Sequence, residues 1–261
     1  MLCGAGLVLA ACQKKETLAV KELRVGVIDG PEAQLVEAAA EVAKGQGLTV
    51  KLVRFTDYVS PNAALAEGSL DLNAFQHKPY LDETIKARGF KLVPVGNSFL
   101  YPMGLYSKKI KSLAELSPKS KVAIPNDPSN EGRALMVLAQ AGLLTLKEGV
   151  GVLATPADIL SNPKALDLVA LDAAQTVRAL DDVVLAAINT NYAVASGLKP
   201  LRDAIFIETK ESPYMNLLVA KEKDANDPRI VGFVKAYQSQ AVLSKAIELF
   251  EGASVAGFEP K

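Results

Sequence analysis

The chain has 261 residues, of which 49% are hydrophobic and 22% are charged, so it can bury the core of one large domain or two modest ones. Its 29 lysine and arginine residues balance 29 aspartate and glutamate residues, which gives a formal net charge of zero. This balance, without a basic stripe anywhere in the sequence, argues against nucleic acid as a partner and against a strongly basic membrane-binding surface.

The first twelve residues are small and apolar, and a polar stretch follows from Gln13. An apolar run this short does not reach the roughly 20 residues that span a bilayer, but it has the length of a signal-peptide core. No lysine or arginine precedes it, which indicates a truncated start. The sequence LAAC at residues 9–12 resembles the lipobox of bacterial lipoproteins and implies lipidation of Cys12. We therefore expect residues 1–22 to be a lipoprotein signal and linker, the alternative being an apolar N-terminal tail.

Both cysteines, Cys3 and Cys12, lie in this leader, so the rest of the chain can form no internal disulfide. Neither a zinc-type spacing of cysteines nor a CxxC redox motif occurs. The sequence therefore predicts no metal site and no cofactor.

From Leu23 onward the apolar periodicity alternates between strands and helices. Strands are predicted at residues 23–28, 49–54, 70–75, 121–124, 167–171, 183–187 and 215–220. Helices are predicted at residues 32–44, after Pro61, and at residues 79–88, 130–141, 173–180, 228–238 and 239–250. Such alternation is typical of βαβ units, and it predicts an α/β protein with mostly parallel sheets flanked by helices.

The alternation is interrupted between Leu92 and Tyr106 by proline and glycine, and there we expect the chain to pass into a second lobe. The late apolar strand at residues 215–220 can carry the chain back. We therefore expect lobe 1 to comprise residues 23–104 and 218–261, and lobe 2 to comprise residues 105–217.

A candidate ligand site follows the strand predicted at residues 70–75. The only histidine of the chain, His77, stands here between Phe75 and Tyr80. Ligands of open α/β sheets bind where strands end, and these three rings would enclose a ligand with an apolar body and polar tips. The alternative is that Phe75 belongs to the core and that His77 is a solvated loop residue.

A second candidate group surrounds the helix predicted at residues 130–141. Residues 126–133 follow a strand and open this helix, so their free backbone N–H groups favour an anion. Arg133, expected in the first helical turn, adds a planar charge that can hold a carboxylate through two hydrogen bonds. Because a cation at a helix N-terminus is unfavourable by itself, we expect a bound anion to compensate it. The alternative is an arginine that points into water.

Two asparagines complete the candidate set. Asn189 and Asn216 can each offer a donor and an acceptor, which suits a ligand that carries an ammonium and a carboxylate together. Asn189 follows a strand and could instead cap a helix beginning near Asn191. Asn216 lies within an apolar strand, where an asparagine is costly to bury without a partner.

Five motifs occur in the order found in the substrate-binding lipoproteins of methionine ABC importers, the NlpA/MetQ family. They are FTDYVSPN at residues 55–62, FQHKPYL at 75–81, PNDPSNEGRAL at 125–135, AINTNYA at 187–193 and ESPYMNL at 211–217. The chain therefore resembles this family over nearly its whole length after the leader. The resemblance implies the two-lobed fold of type II periplasmic binding proteins.

The resemblance also implies roles for individual residues. The family positions that hold the amino-acid backbone of the ligand match Arg133, Asn189 and Asn216. The positions around the thioether side chain match Tyr58, Phe75, His77 and Tyr80.

By the same resemblance, the protein is implied to be a receptor in the cell envelope, lipid-anchored to the membrane on the extracytoplasmic (periplasmic) side. It would capture methionine between two lobes and deliver it to an inner-membrane ABC permease and its ATPase. One alternative is the same role for a short peptide or another apolar amino acid. Another is an enzyme that uses His77 as a general acid or base, but the sequence contains no GxSxG elbow, phosphate loop or metal-binding cluster to support it.

Overall fold

The computed structural model describes residues 21–260. Cys12 and nearly all of the predicted leader therefore lie outside the described residues. Within the described range, every helix is too short or too polar to cross a membrane.

Each of the seven predicted strands has a counterpart within residues 21–260, which also contain six further strands. The strands are β1 Lys21–Ile28, β2 Leu48–Phe55, β3 Leu72–His77, β4 Leu92–Leu100, β5 Gly104–Tyr106, β6 Lys121–Pro125, β7 Thr145–Leu146, β8 Ile159–Ser161, β9 Asp167–Leu171, β10 Leu185–Ile188, β11 Phe206–Ile207, β12 Met215–Lys221 and β13 Val255–Ala256. The α-helices are α1 Pro31–Lys44, α2 Ser60–Glu67, α3 Lys78–Arg88, α4 Pro128–Gln140, α5 Thr190–Ala195, α6 Pro200–Asp203, α7 Pro228–Tyr237 and α8 Gln240–Phe250.

Two separate sheets carry the two lobes. The first has the strand order β13-β4-β12-β3-β1-β2, and the second has the order β11-β5-β10-β6-β9. The chain passes between the sheets twice, once between β4 and β5 and once between β11 and β12. The predicted two-lobed α/β architecture is therefore confirmed.

The prediction of mostly parallel sheets is correct only for the strands that helices connect. In the first sheet β1 is parallel to β2 and β3, and in the second β6 is parallel to β9 and β10. The remaining pairs of both sheets are antiparallel. β12 arrives from the other sheet rather than through a crossover helix on its own sheet, and it runs opposite to both its neighbours, β3 and β4.

Each lobe has its own apolar core. In the first lobe Leu35 of α1, Phe233 of α7 and Phe250 of α8 are buried in one cluster, so the last two helices complete the lobe that the first strand begins. In the second lobe Leu135 and Leu138 of α4 are buried with residues of β6 and β10. Each of the two sheets is therefore packed against helices of its own lobe.

The prediction of a helix at residues 173–180 is wrong. Two short 3-10 segments, Ala173–Gln175 and Arg178–Asp181, stand in its place. The Asp172 carboxylate accepts the Ala174 N–H at 2.9 Å, and the Thr176 hydroxyl donates to the Ala173 carbonyl at 2.8 Å. Such local bonds from side chain to backbone compete with a regular helix.

Candidate ligand-binding site

The seven predicted site residues line one cavity between the two sheets. The space between these residues is about 350 Å³ and is partly open to solvent. The lining comprises the predicted Tyr58, Phe75, His77, Tyr80, Arg133, Asn189 and Asn216, together with Gln76, Tyr101, Asn130, Thr190 and Asn191.

One wall of the cavity is an aromatic cage formed by the rings of Tyr58, Phe75, His77 and Tyr80. The Phe75 ring centre lies 6.1 Å from that of Tyr58 and 6.0 Å from that of Tyr80, which meets it edge-on. The Tyr80 hydroxyl donates to the Tyr58 carbonyl at 2.8 Å, which holds the Tyr80 ring beside the Tyr58 backbone. Phe75 is buried, but it faces the cavity and so is not only a core residue.

His77 ends β3 and caps the N-terminus of α3. Its Nδ1 accepts the Tyr80 N–H at 3.2 Å, so the ring proton is on Nε2, which donates to Asn130 Oδ1 at 3.1 Å. Burial, reinforced by the nearby charge of Arg133, lowers the pKa of His77 to about 3. The imidazole is therefore a neutral, fixed hydrogen-bonding group, and the solvated-loop alternative is wrong.

We expect the His77 ring protons to show no titration between about pH 5 and pH 8 in the folded protein, whereas an exposed imidazole titrates near pH 6.5. Proton NMR can follow this ring directly, because the chain has one histidine. The same spectra recorded in denaturant provide the control. A midpoint near pH 6.5 in the folded protein would show that the imidazole is not held neutral.

Asn130 joins the two lobes through its side chain. Its Oδ1 accepts hydrogen bonds from His77 Nε2 at 3.1 Å and from Asn189 Nδ2 at 2.8 Å. Its Nδ2 donates to both oxygens of Asp127, at 3.0 and 2.9 Å. The end of β3 in one sheet and the end of β10 in the other are thus connected through a single amide.

The prediction that free backbone N–H groups of residues 126–133 bind an anion is wrong. α4 begins at Pro128, two residues earlier than predicted, and Asp127 is its N-cap. The Asp127 carboxylate itself accepts the Asn130 N–H at 3.0 Å and the Ser129 hydroxyl at 2.9 Å. The N-terminus of the helix is therefore occupied by a carboxylate of the protein, and Arg133 lies in the second helical turn.

Arg133 is buried and already paired, so the alternative of an arginine that points into water is wrong. Its side chain is 3% exposed, and Nε and Nη2 donate to Glu208 Oε2 at 3.1 and 2.6 Å. Nη2 also donates to the Tyr101 carbonyl at 2.8 Å, and the guanidinium lies 4.4 Å from the centre of the Tyr214 ring. Only Nη1 makes no hydrogen bond to the described part of the chain, and this group remains for a ligand.

Glu208 also connects the two crossings between the sheets. Its Oε2 accepts the Met103 N–H at 3.0 Å, and its own N–H donates to the Met103 carbonyl at 2.9 Å. Met103 lies in the first crossing and Glu208 in the second. The ion pair between Arg133 and Glu208 therefore connects the cavity lining to the segments through which the chain passes between the two sheets.

Two asparagines present oxygen atoms. The Nδ2 of Asn189 donates to Asn130 Oδ1, and the buried Oδ1 of Asn189 has no partner among the described residues. Although Asn189 precedes α5, its side chain does not cap that helix. Asn216 donates through Nδ2 to Glu32 Oε1 at 3.1 Å and to the Phe75 carbonyl at 3.2 Å, which leaves its Oδ1 as an acceptor.

A third asparagine presents the opposite polarity. Asn191 Oδ1 accepts the Tyr58 hydroxyl at 2.7 Å, and its buried Nδ2 has no partner within residues 21–260. The cavity thus offers donors from Asn191 and Arg133 and acceptors from Asn189 and Asn216. This set can bind a carboxylate and an ammonium of one small molecule. No group of three or more histidine, cysteine, aspartate or glutamate side chains in the described chain could hold a metal ion.

The sequence did not identify Asn130, Asn191, Glu32 or Glu208. Asn130 and Asn191 lie in two of the quoted motifs, each in the first turn of a helix that follows a strand, and that position was the available signal for them. Glu208 has no such signal, because its partner Arg133 is 75 residues away.

Comparisons with known proteins agree with this geometry. The family model described as NlpA lipoprotein matches residues 23–258. A protein of Vibrio cholerae serotype O1 described as a probable D-methionine-binding lipoprotein MetQ is 53% identical over 253 residues, which cover 97% of this chain and 94% of the relative. A periplasmic substrate-binding protein of an ABC transporter from Coxiella burnetii has a TM-score of 0.87 at 52% identity, covering 90% of this chain and all of its own. A nutrient-binding protein from Burkholderia cenocepacia, solved bound to methionine, has a TM-score of 0.88 at 48% identity with the same coverage.

Proposed function

Because the chain belongs to the NlpA lipoprotein family, we propose that it is an extracytoplasmic substrate-binding lipoprotein that captures methionine between its lobes and delivers it to an ABC importer. One observation carries this proposal: buried donors and acceptors without partners in the described chain face one small cavity whose remaining wall is aromatic. A free amino acid with an apolar side chain has matching groups. The names of the relatives narrow that amino acid to methionine.

In this proposal the carboxylate of the ligand accepts hydrogen bonds from Arg133 Nη1 and Asn191 Nδ2. The ammonium donates to Asn189 Oδ1 and Asn216 Oδ1. Both assignments follow from which side-chain atoms are already used within the protein. Hydrogen bonds to charged groups are about twice as strong as those between neutral groups, so these four contacts dominate recognition.

The thioether lies against the aromatic cage. Sulfur–aromatic contacts contribute roughly 0.3–1.5 kcal/mol each. Burying a methionine-sized side chain adds about 1.5–3 kcal/mol. Nanomolar affinity needs about 12 kcal/mol, so the polar contacts and lobe closure have to supply the larger part.

Closure follows from the division of the site between the lobes. We propose that residues 23–104 and 218–261 form lobe 1 and residues 105–217 form lobe 2, with the ends of β5 and β12 moving Gly104 to the second sheet and residues 215–217 to the first. His77 and Asn130 then meet across the cleft, as do Tyr58 and Asn191. A ligand that contacts both sides favours the closed state, because those contacts do not exist when the lobes separate.

The remaining parts of the proposal concern the surroundings of the protein. Lipidation of Cys12 would anchor it to the membrane on the extracytoplasmic side, within reach of an inner-membrane permease and its ATPase. We propose no catalytic role. His77 supports this view, since burial lowers its pKa to about 3, which makes the imidazole a neutral and weak base near neutral pH.

Methionine is expected to bind one-to-one in calorimetry to protein freed of ligand by unfolding and refolding. The matched comparison is a methionine-containing dipeptide, in which a peptide bond replaces either the carboxylate or the ammonium of methionine, and it is expected to bind far more weakly. Heat and thermal stabilisation with the dipeptide but not with methionine would instead support the short-peptide receptor.

A further inference from the structure

Glu32, the second residue of α1, is a buried carboxyl that belongs to no motif of the site. The residue is 3% exposed, its Oε1 accepts from Asn216 Nδ2 at 3.1 Å, and its Oε2 has no partner within the described chain. No cation forms an ion pair with it in this part of the chain. A buried carboxyl with a single hydrogen bond is unfavourable for stability, so its presence calls for another explanation.

Its one partner, Asn216, lines the cavity. Asn216 lies on β12 opposite His77 of β3, and its Nδ2 donates to both Glu32 Oε1 and the Phe75 carbonyl. Rotating the amide by half a turn would set Oδ1 against the Phe75 carbonyl and would break both bonds. Glu32 and Phe75 therefore determine which end of the Asn216 amide remains for a ligand.

The start of α1 also lies where the lobes meet. Gly30, which precedes the helix, has φ +119°, and a Cβ there would lie 3.1 Å from the Cβ of Ala195 on α5. The same helix α5 carries Thr190 and Asn191, which line the cavity. Glu32 thus lies directly behind the wall of the closed site without being one of its lining residues.

We propose that Glu32 is a positioning residue, whose carboxyl oxygen holds the Asn216 amide so that Oδ1 faces the ammonium of a bound amino acid. This inference rests on the proposed function. It gives this buried carboxyl a role that offsets its cost in stability. Burial raises the pKa of Glu32 to about 8, so the group is held protonated at neutral pH and acts as a hydrogen-bond acceptor rather than as a charge.

Two substitutions test whether Glu32 acts through its acceptor oxygen or only by filling space. Glu32→Gln retains an acceptor oxygen and closely matches a protonated carboxyl in shape. Glu32→Met retains the length but removes the acceptor. Two ligands are compared: methionine, and 4-(methylthio)butanoate, which lacks the ammonium. The affinity of wild type and of each variant for both ligands is measured by calorimetry and by displacement of bound ligand.

Glu32→Met is expected to weaken methionine binding about fivefold to tenfold, the effect of one net hydrogen bond. Binding of 4-(methylthio)butanoate should change by less than about twofold. Glu32→Gln should retain the wild-type preference for the ammonium. Equal losses for both ligands in Glu32→Met, or loss of the preference in Glu32→Gln, would overturn the inference.

A double-mutant cycle with Asn216→Ala gives an independent test, because a residue that acts through Asn216 has nothing to position once that side chain is removed. In the Asn216→Ala background, Glu32→Met should have no further effect on methionine affinity. Additive losses would contradict the proposed role. If Glu32→Met does not fold, Glu32→Leu replaces it in both tests, because leucine also lacks the acceptor oxygen. Failure of the wild type to bind methionine would refute the proposed function, not this inference alone.

Discussion

Arg133→Ala is expected to weaken methionine binding by about two orders of magnitude or more. The substitution removes the Nη1 donor from the ligand carboxylate, and losing one partner of a buried charged pair costs on the order of 2–5 kcal/mol. It also leaves Glu208, whose side chain is 4% exposed, buried without its cation. Calorimetry for affinity and thermal unfolding for stability measure the two effects separately.

Three controls distinguish these effects. Phe75→Leu retains most of the apolar contact and should cost under about 1.5 kcal/mol. The double substitution Arg133→Ala with Glu208→Gln removes both charges, so it should recover stability without recovering affinity. Methioninamide lacks the carboxylate, and wild type should discriminate against it strongly while both Arg133 variants discriminate much less. Unchanged discrimination in Arg133→Ala would place the carboxylate elsewhere in the cavity.

Asn130→Ala is expected to have the second largest effect. It removes the acceptor shared by His77 Nε2 and Asn189 Nδ2 and the donor to Asp127. Each buried polar group left without a partner costs about 1–3 kcal/mol. We therefore expect methionine affinity to fall by about two orders of magnitude, because the closed state loses its link between the lobes, and the melting temperature to fall as well.

Glu131→Ala is the matched control for Asn130→Ala. It truncates the next residue of α4, whose side chain makes none of these hydrogen bonds and does not line the cavity. Affinity should stay within about twofold of wild type, as for most surface substitutions. Similar affinities for Asn130→Ala and Glu131→Ala would show that the hydrogen bonds of Asn130 do not hold the lobes closed.

The order of elements was predictable because apolar periodicity is local. The helices at the N-terminus and C-terminus of the first lobe follow it closely, and so does the break between the lobes. The segment around Thr176 was mispredicted because two side chains bond to the backbone there. The antiparallel direction of β12 was not predictable, because it depends on how the chain returns from the other sheet.

Residue type and position relative to the strands were enough to predict which residues line the site, but not what those residues bond to. His77 and Arg133 are conspicuous by chemistry, and both line the cavity. Their hydrogen-bond partners could not be predicted, because pairing between side chains that are far apart in the sequence depends on the fold. Arg133 and Glu208 are 75 residues apart, and Glu32 and Asn216 are 184 apart. For this reason the sequence did not show that Glu208 already compensates the charge of Arg133.

A crystal structure of the protein with bound methionine tests the central claim most directly. The account predicts the carboxylate within hydrogen-bonding distance of Arg133 Nη1 and Asn191 Nδ2. It predicts the ammonium on Asn189 Oδ1 and Asn216 Oδ1, with the thioether against the aromatic cage. Methionine bound the other way round, with its carboxylate at the two asparagine oxygens or its thioether at Arg133, would contradict the account.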